Sequence, residues 1–567
     1  MSLTELTELT ELIAALARPE ALGHPPDAHV EVIHTHVSVV LLVGDDVFKF
    51  KKPQDLDFLD YSTLERRRHF CALEVELNRR LAPDVYLGVV EIRRDSDGSL
   101  RVEGPGEVVE VAVHMRRLPD AAALASRIEH SVDASDGVDA SALRKIGARI
   151  FGFHRAARRG PEVSAWATFA VVAANARQNF AQLADLGRVS EALLTRLERC
   201  TEEALGRHHA TIEARARRRV ACDTHGDLRL EHIYLFPDRP PPADLVILDC
   251  IEFAEQFRCA DPIADLAFLV MDLHRVDRRD LAAALLAGYF GAYDVPLAPP
   301  APSAPSAPSV PSPDPGSAIA SVADEHAEAR ALLPLYTAYR ATVRAKVEAF
   351  KAAGPEVPPA VAAAAAVAAR RYLLLALLEL QAPALRPCLV LVAGLPGTGK
   401  STLARALAAE GFGWVRSDAV RKQLAGLAPE DPAHAATGAG IYTAAWTDRT
   451  YARCHDLARA ALAEGERVVV DANFKTAAQR APFIALAHEL GVPLQIFVCE
   501  AEPAAVEQRL SRRTGDASDA DVAVYRQARA LWEPVAAGLD ATVIDTTGPT
   551  DASVAAVFVA LERHDLA

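Results

Sequence analysis

The clearest chemistry in the chain lies in Gly394-Leu395-Pro396-Gly397-Thr398-Gly399-Lys400-Ser401. The spacing is G-x-x-x-x-G-K-[ST], preceded by the apolar run 389–393 and followed by a helical pattern at 402–407. Strand, glycine-rich turn and helix start are the context in which this spacing makes a phosphate cradle. Glycines let successive backbone N–H groups point inward at a polyphosphate, and the helix N-terminus adds partial positive charge. Lys400 is placed to neutralise β- and γ-phosphates, and Ser401 to offer its hydroxyl to Mg²⁺. The cradle is expected to run from Gly394 to Thr402.

Further residue types around this stretch suit the same chemistry. Asp418 and Asp471 each close a strand-like run, 413–417 and 468–470. Asp471 is a candidate for the Mg²⁺ shell and Asp418 for accepting the proton of a substrate hydroxyl. Arg509 and Arg513 stand four apart on one helix face, where they could close over transferred charge, or simply be solvated. Asp516 and Asp519 are read as capping the next helix.

A second set lies upstream. The run Cys222-Asp223-Thr224-His225-Gly226-Asp227 leads into a short strand, and the strand 245–248 ends in Asp249. Two aspartates at the ends of paired strands suit phosphoryl transfer, one handling a hydroxyl and the other holding Mg²⁺, although turn aspartates have the same spacing. Along 47–51, period two puts Val47, Lys49 and Lys51 on one face of a strand and Phe48 and Phe50 on the other. Lysines there are either solvated edge charges or phosphate ligands.

The elements that must position these residues fall into two patterns. From residue 30 to about 114, β-branched runs alternate with short turns around a charged helix at 61–81, an antiparallel meander. Helical sequence then dominates to about residue 215, and the acids of 261–272 read as caps or internal hydrogen-bond partners. From 389 onward, buried strands alternate with helices, which is a parallel α/β sheet with ligands at the strands' carboxyl ends. At 567 residues, half of them apolar and about a quarter charged, the chain holds more than one core. The net charge of −15 argues against a general nucleic-acid binder. Eight cysteines without a C-x-x-C pair are expected to be reduced core thiols. The acidic start is not expected to be a signal peptide, and the apolar runs 361–369 and 372–380, split by Arg370-Arg371, read as buried helix rather than membrane span. The expected location is cytoplasmic.

On His225-Gly226-Asp227 and the strand pair ending in Asp249, residues 25–385 resemble the aminoglycoside phosphotransferase family, a small-molecule branch of the protein-kinase-like fold. The resemblance implies that Asp227 is the catalytic-loop aspartate, that Asp249 holds metal, and that Lys49 pairs with Glu74 to position ATP. Lys51 and Glu76 are the alternative pair if the register differs by two. The family pattern H-G-D-x-x-x-x-N places asparagine at 232, where this chain has His232; a nucleotide-binding lobe without activity therefore stays open. The P-loop, Ser417-Asp418 with Arg421, Asp471 and the arginine pair resemble the gluconate kinase, polynucleotide kinase and zeta-toxin group. Together the halves resemble the bacterial bifunctional aminoglycoside phosphotransferase/ATP-binding protein family.

The expected organisation is an N-terminal helix or tail (1–24), a bilobal α+β kinase-like domain (25–385) with a Pro/Ala/Ser-rich run (299–316) read as an inserted loop or, alternatively, as a spacer between two domains, and an α/β P-loop kinase domain (386–567). The expected activity is ATP- and Mg²⁺-dependent transfer of phosphate to small-molecule hydroxyls, without a nucleic-acid or membrane partner. Two other readings stay open: a regulatory N-terminal module on one active P-loop kinase, and a polynucleotide end-processing kinase.

Overall fold

The computed structural model describes residues 3–35, 37–56, 59–130, 138–292, 322–354, 357–428, 431, 440–512, 518, 520–536 and 538–567. The Pro-rich run 299–316 and Arg513 lie outside them, as do Asp516 and Asp519. The chain divides into two compact units, one of Met1–Ala174 with His208–Tyr336 and one of Asn175–Arg207 with Thr337–Ala567.

The first unit opens on a six-stranded antiparallel sheet. Its strands are β1 (Val30–His34), β2 (Ser38–Val43), β3 (Asp46–Lys51), β4 (Tyr86–Arg94), β5 (Leu100–Val102) and β6 (Glu107–Arg116), in the order β1-β2-β3-β6-β4-β5. Alternation along β3 sorts its side chains by face. Phe48 and Phe50 join Leu41, Val43 and Ile92 in one core, closed by Leu16 from the helix Leu3–Leu16. Val47 joins Val75, Val111 and Val113 in another, closed by helix α1 (Leu64–Asn78). Thr63 caps α1 by accepting from the Arg66 N–H. The lysines of β3 therefore face α1.

A mainly helical portion follows. It carries a hairpin of β7 (Ile233–Leu235) and β8 (Leu245–Ile247), paired antiparallel with Ile233 opposite Ile247. Helix α2 (Pro262–Arg275) is buried along nearly its whole length. Its acids are internal partners, as the sequence suggests: Asp261 caps the helix through the Ile263 N–H and pairs with Arg215.

The second unit is built on five parallel strands: β9 (Cys388–Gly394), β10 (Gly413–Arg416), β11 (Arg467–Asp471), β12 (Leu494–Glu500) and β13 (Ala541–Asp545), in the order β10-β11-β9-β12-β13. Every residue of β9 is buried, which a central parallel strand covered on both faces requires. Helices α3 (Lys400–Ala409) and α4 (Ser417–Leu424) follow β9 and β10, and α5 (Pro503–Ser511) follows β12. Leu403 and Leu407 of α3 pack on Val390, Val392 and Phe497. The architecture is that expected: an α+β unit opening on an antiparallel sheet, then a parallel α/β sheet bearing the P-loop. Among the described residues, the helix Pro359–Leu380 alone is long and apolar enough to cross a membrane by length and composition; half of its most apolar stretch is buried, including Leu373, Leu374 and Leu377.

Candidate active sites

In the first unit, Lys49 lies between two acids. Its Nζ is 2.8 Å from Glu74 Oε1 on α1 and 2.7 Å from Asp249 Oδ1, just past β8. Burial opposes the charge on Lys49, but Asp249 and Glu74 outweigh it and hold the ammonium well above the ordinary lysine range. Burial likewise opposes the charge on Asp249, and Lys49 with His232 hold its carboxyl below the usual carboxylate range. Asp249 adopts φ +67°, in the left-handed region, and its N–H donates to Tyr86 Oη at 3.2 Å. Such a conformation persists when the surroundings fix it. Here the next N–H, of Cys250, is held by Asn78 Oδ1 on α1 at 2.8 Å.

The alternative pair Lys51 and Glu76 does not form. Glu76 is exposed, and Lys51 Nζ instead reaches Glu74 Oε2 at 2.7 Å and Glu252 Oε1. Tyr61 Oη donates to the same Glu252 oxygen at 2.6 Å, and Lys51 lies over the Tyr61 ring. Glu74 thus divides its two oxygens between two lysines. Glu252 and Tyr61 were not legible beforehand; the one available signal was that an acid stands three residues after Asp249.

The loop bearing Asp227 is fixed from beneath. Asp265 of α2, fully buried, accepts the N–H of His225 at 3.1 Å and of Gly226 at 2.8 Å, and pairs with His154 at 3.0 Å. The His225 ring bridges to β8: Nε2 donates to the Leu248 carbonyl at 3.0 Å, while Nδ1 accepts the Asp227 N–H at 3.4 Å. Burial lowers its pKa to about 4, so the ring is neutral near pH 7. Gly226 needs its glycine, having φ +85° and the Phe257 carbonyl 3.1 Å from where a Cβ would be.

His232 stands where the family pattern has asparagine, and the structure places it between the two aspartates. Its Nδ1 is 2.9 Å from the Asp227 carbonyl oxygen and 3.6 Å from Asp227 Oδ2. Its Nε2 is 3.6 Å from Asp249 Oδ2 and 3.8 Å from Glu231 Oε1. Lys49, Glu74, Asp227, His232 and Asp249 therefore form one constellation, drawn from residues up to 200 positions apart.

In the second unit, the turn between β9 and α3 has Gly394, Gly397 and Gly399 at φ +143°, +78° and +86°. Two of these glycines are also required by close approach. A Cβ on Gly394 would meet the Cys499 carbonyl oxygen at 2.6 Å, and one on Gly397 would meet Leu510 and Val506 of α5 at 2.8 and 2.9 Å. Thr398 Oγ1 and Lys400 Nζ both donate to the Leu395 carbonyl at 2.8 Å. Thr546, just past β13, donates to the Thr398 carbonyl at 2.6 Å.

Asp471 ends β11, opposite Val392 of β9 in the ladder. It is buried, its Oδ2 has no protein hydrogen-bond partner, and Arg416 Nε lies 3.9 Å away. Burial pushes its carboxyl up, against the pull of Lys400 and a hydrogen bond from Ser401, while nearby Asp418 adds to the rise. Asp418 itself lies in the first turn of α4, not at a strand end, because β10 stops at Arg416. An acid in that turn complements the helix dipole, which favours starting the helix at Ser417. Arg421, one turn on, is buried and donates to the Ile441 carbonyl at 2.8 Å.

Arg509 on α5 is occupied with backbone: its guanidinium donates to the carbonyls of Thr546 and Thr547, beside the cradle. Its expected companion Arg513 lies outside the described residues. The helix Val522–Ala530 is capped by Asp521 through the Val524 N–H, while Asp516 and Asp519, expected to cap it, lie outside the described residues. Among the described residues no group of three or more His, Cys, Asp or Glu side chains could hold a metal by itself.

The chain is 33% identical over 546 residues to a protein of Mycobacterium tuberculosis H37Rv described as uncharacterised, covering 94% of this chain and 96% of that one. It belongs to that family. A family member from Mycobacterium bovis, also described as uncharacterised, matches to the same extent. Residues 389–535, a stretch that includes the P-loop and Asp471, match the family model described as an AAA domain. Among solved structures, a gluconokinase from Sinorhizobium meliloti covers 32% of this chain and 94% of its own at 18% identity and TM-score 0.23. The Mycobacterium tuberculosis APS kinase, solved with AMPPNP and APS, covers 31% and 98% at 19% identity and TM-score 0.24. A Plasmodium vivax ethanolamine kinase covers 62% and 84% at 8% identity and TM-score 0.35. At these scores the likenesses add nothing to the geometry above.

Proposed function

We propose that the protein is an ATP-dependent phosphotransferase with two nucleotide sites, each moving the γ-phosphate of ATP to a hydroxyl of a small molecule. The observation that carries this reading is the convergence in the first unit of Lys49, Glu74 and Asp249 within 2.8 Å of one ammonium, in a chain that also carries a complete P-loop. In the first site Lys49, held by Glu74, positions the nucleotide phosphates, and Asp227 orients the acceptor hydroxyl and takes its proton. In the second, the Gly394–Thr402 backbone and Lys400 cradle the phosphates and Asp418 receives the acceptor proton. Arg509 steadies the loop beside the transferred charge.

Mg²⁺ fits the second site, where the unpartnered Oδ2 of buried Asp471 lies beside Ser401. Ser401 and Asp471 would hold it, and bound there it supplies charge neutralisation on the phosphates. At the first site Asp249 offers Oδ2, but the neighbouring donor is an imidazole rather than an amide oxygen.

That imidazole also favours a second reading, in which the first unit binds nucleotide as a regulatory module of one active P-loop kinase. Phosphoryl transfer from ATP to a panel of metabolite hydroxyls, run on full-length Lys400→Ala and Asp227→Asn proteins, separates the two. Each variant is expected to lose a different subset of acceptors. If Lys400→Ala removes all transfer and Asp227→Asn removes none, the two-enzyme reading gives way to the regulatory one. The acidic net charge weighs against an oligonucleotide acceptor.

A further inference from the structure

The orientation of His232 is decided by its hydrogen bond. A carbonyl oxygen can only accept, so the Nδ1 that lies 2.9 Å from the Asp227 carbonyl carries the hydrogen of that bond. In the neutral ring the lone pair is then on Nε2. That nitrogen faces Asp249 Oδ2 at 3.6 Å, the oxygen that Lys49 leaves free by binding Oδ1. Glu231 Oε1 stands 3.8 Å away on the same side, with Arg229 engaging it. The backbone bond to Asp227 fixes ring and tautomer together, which is how ligating histidines are commonly set by their other nitrogen.

We propose that His232 Nε2 and Asp249 Oδ2 are the two protein ligands of a divalent transition-metal ion in the first unit, which this site prefers over Mg²⁺. A separation of 3.6 Å is one that two ligands at about 2.0–2.2 Å from a single ion can span. Imidazole nitrogen suits first-row transition metals, whereas Mg²⁺ takes oxygen ligands and gives up water reluctantly. Among the described residues no group of three or more His, Cys, Asp or Glu could hold a metal by itself, and Glu231 is engaged by Arg229, so phosphate oxygens and water would complete the coordination. The inference rests on reading the first unit as a nucleotide site and names the cation class that this site takes.

The probe is Mn²⁺ with a non-hydrolysable ATP analogue, bound to the full chain carrying Lys400→Ala and Ser401→Ala to disable the P-loop cation site. Pulsed electron paramagnetic resonance reads ligand nitrogen directly. A ¹⁴N modulation is expected, converting to the ¹⁵N pattern when the histidines alone are ¹⁵N-labelled, so the unmutated site is tested without a folding risk. His232→Asn, with His232→Gln as a second variant, should abolish the modulation. It should also lower Mn²⁺ affinity by about tenfold or more relative to Mg²⁺. Bound Mn²⁺–nucleotide with no histidine nitrogen, and affinity unchanged in His232→Asn, would overturn the proposal and leave the nucleotide site standing. If the P-loop-disabled chain takes up neither nucleotide nor Mn²⁺, the proposal and the nucleotide reading of the first unit fail together.

Discussion

In the first unit the candidate site consists of charged side chains that neutralise one another: Lys49 and Lys51 against Glu74, Asp249 and Glu252, on β3, α1 and the segment after β8. At 394–401 the candidate cradle is made by the backbone, in three glycines with positive φ, packed against Cys499 at Gly394, under Val506 and Leu510 at Gly397, and beside Thr546 at Gly399. The first arrangement depends on long-range folding to bring charges together in a buried setting, where an unpaired charge is costly. The second is contiguous in the chain, and its requirements are steric. The two should therefore fail differently: the first through charge and pH, the second through shape.

The largest expected effect is on the buried charge web. Lys51→Met leaves Glu74 and Glu252 short of a partner and is expected to destabilise the first unit by about 3–5 kcal/mol in urea unfolding. Adding Glu252→Gln should recover part of that loss. Equal stability of the single variant and the parent protein would break the contrast between the two sites.

Next comes pH. His225 is neutral in the folded protein with a pKa of about 4, below its unfolded value of about 6.5. Between these values the unfolded chain binds the extra proton, so stability is fully present above pH 6.5 and is lost as pH falls toward 4, by on the order of 3 kcal/mol. Unfolding of His225→Asn protein across that window should lack this component. No such slope is expected from the P-loop glycines.

Gly397→Ala sharpens the comparison from the other side. Its strain is steric, about 1–3 kcal/mol for a non-glycine residue in that backbone region, with contacts to Leu510 and Val506 added. Thermal unfolding should register it equally at pH 5 and pH 8. The smallest effect belongs to the cap of α1: Thr63→Ala is expected to cost about 1 kcal/mol.

The same contrast explains what could be read in advance. The P-loop is legible because its determinants are consecutive. Lys49, Glu74, Asp227 and Asp249 were legible only as candidates, since nothing local states that residues 200 apart meet. The choice between Glu74 and Glu76 was open to a helical argument: two residues apart on a helix is about 200°, so they cannot both face β3. Lys49 and Lys51, two apart on a strand, share a face and so share Glu74. Glu252 sits in irregular backbone after Asp249, where no period predicts a direction. The placement of Asp418 turned on where β10 yields to α4, a boundary set here by an acid in the helix's first turn, which the hydrophobic pattern does not show.

The eight cysteines are all free and buried, four in each unit: Cys71, Cys222, Cys250 and Cys259 in the first, and Cys200, Cys388, Cys454 and Cys499 in the second. Burial pushes the thiols of Cys71, Cys222, Cys250, Cys454 and Cys499 up to about 12, that of Cys259 to about 11, and that of Cys388 upward. Only the thiolate attacks an alkylating reagent, so these sulfurs stay silent until the surrounding backbone opens. The chain thus carries its own unfolding reporters, resolved by position along the sequence. Pulse alkylation read by peptide mass spectrometry should mark Cys71 and Cys250 ahead of Cys388 and Cys499 in Lys51→Met protein, and reverse that order in Gly397→Ala protein.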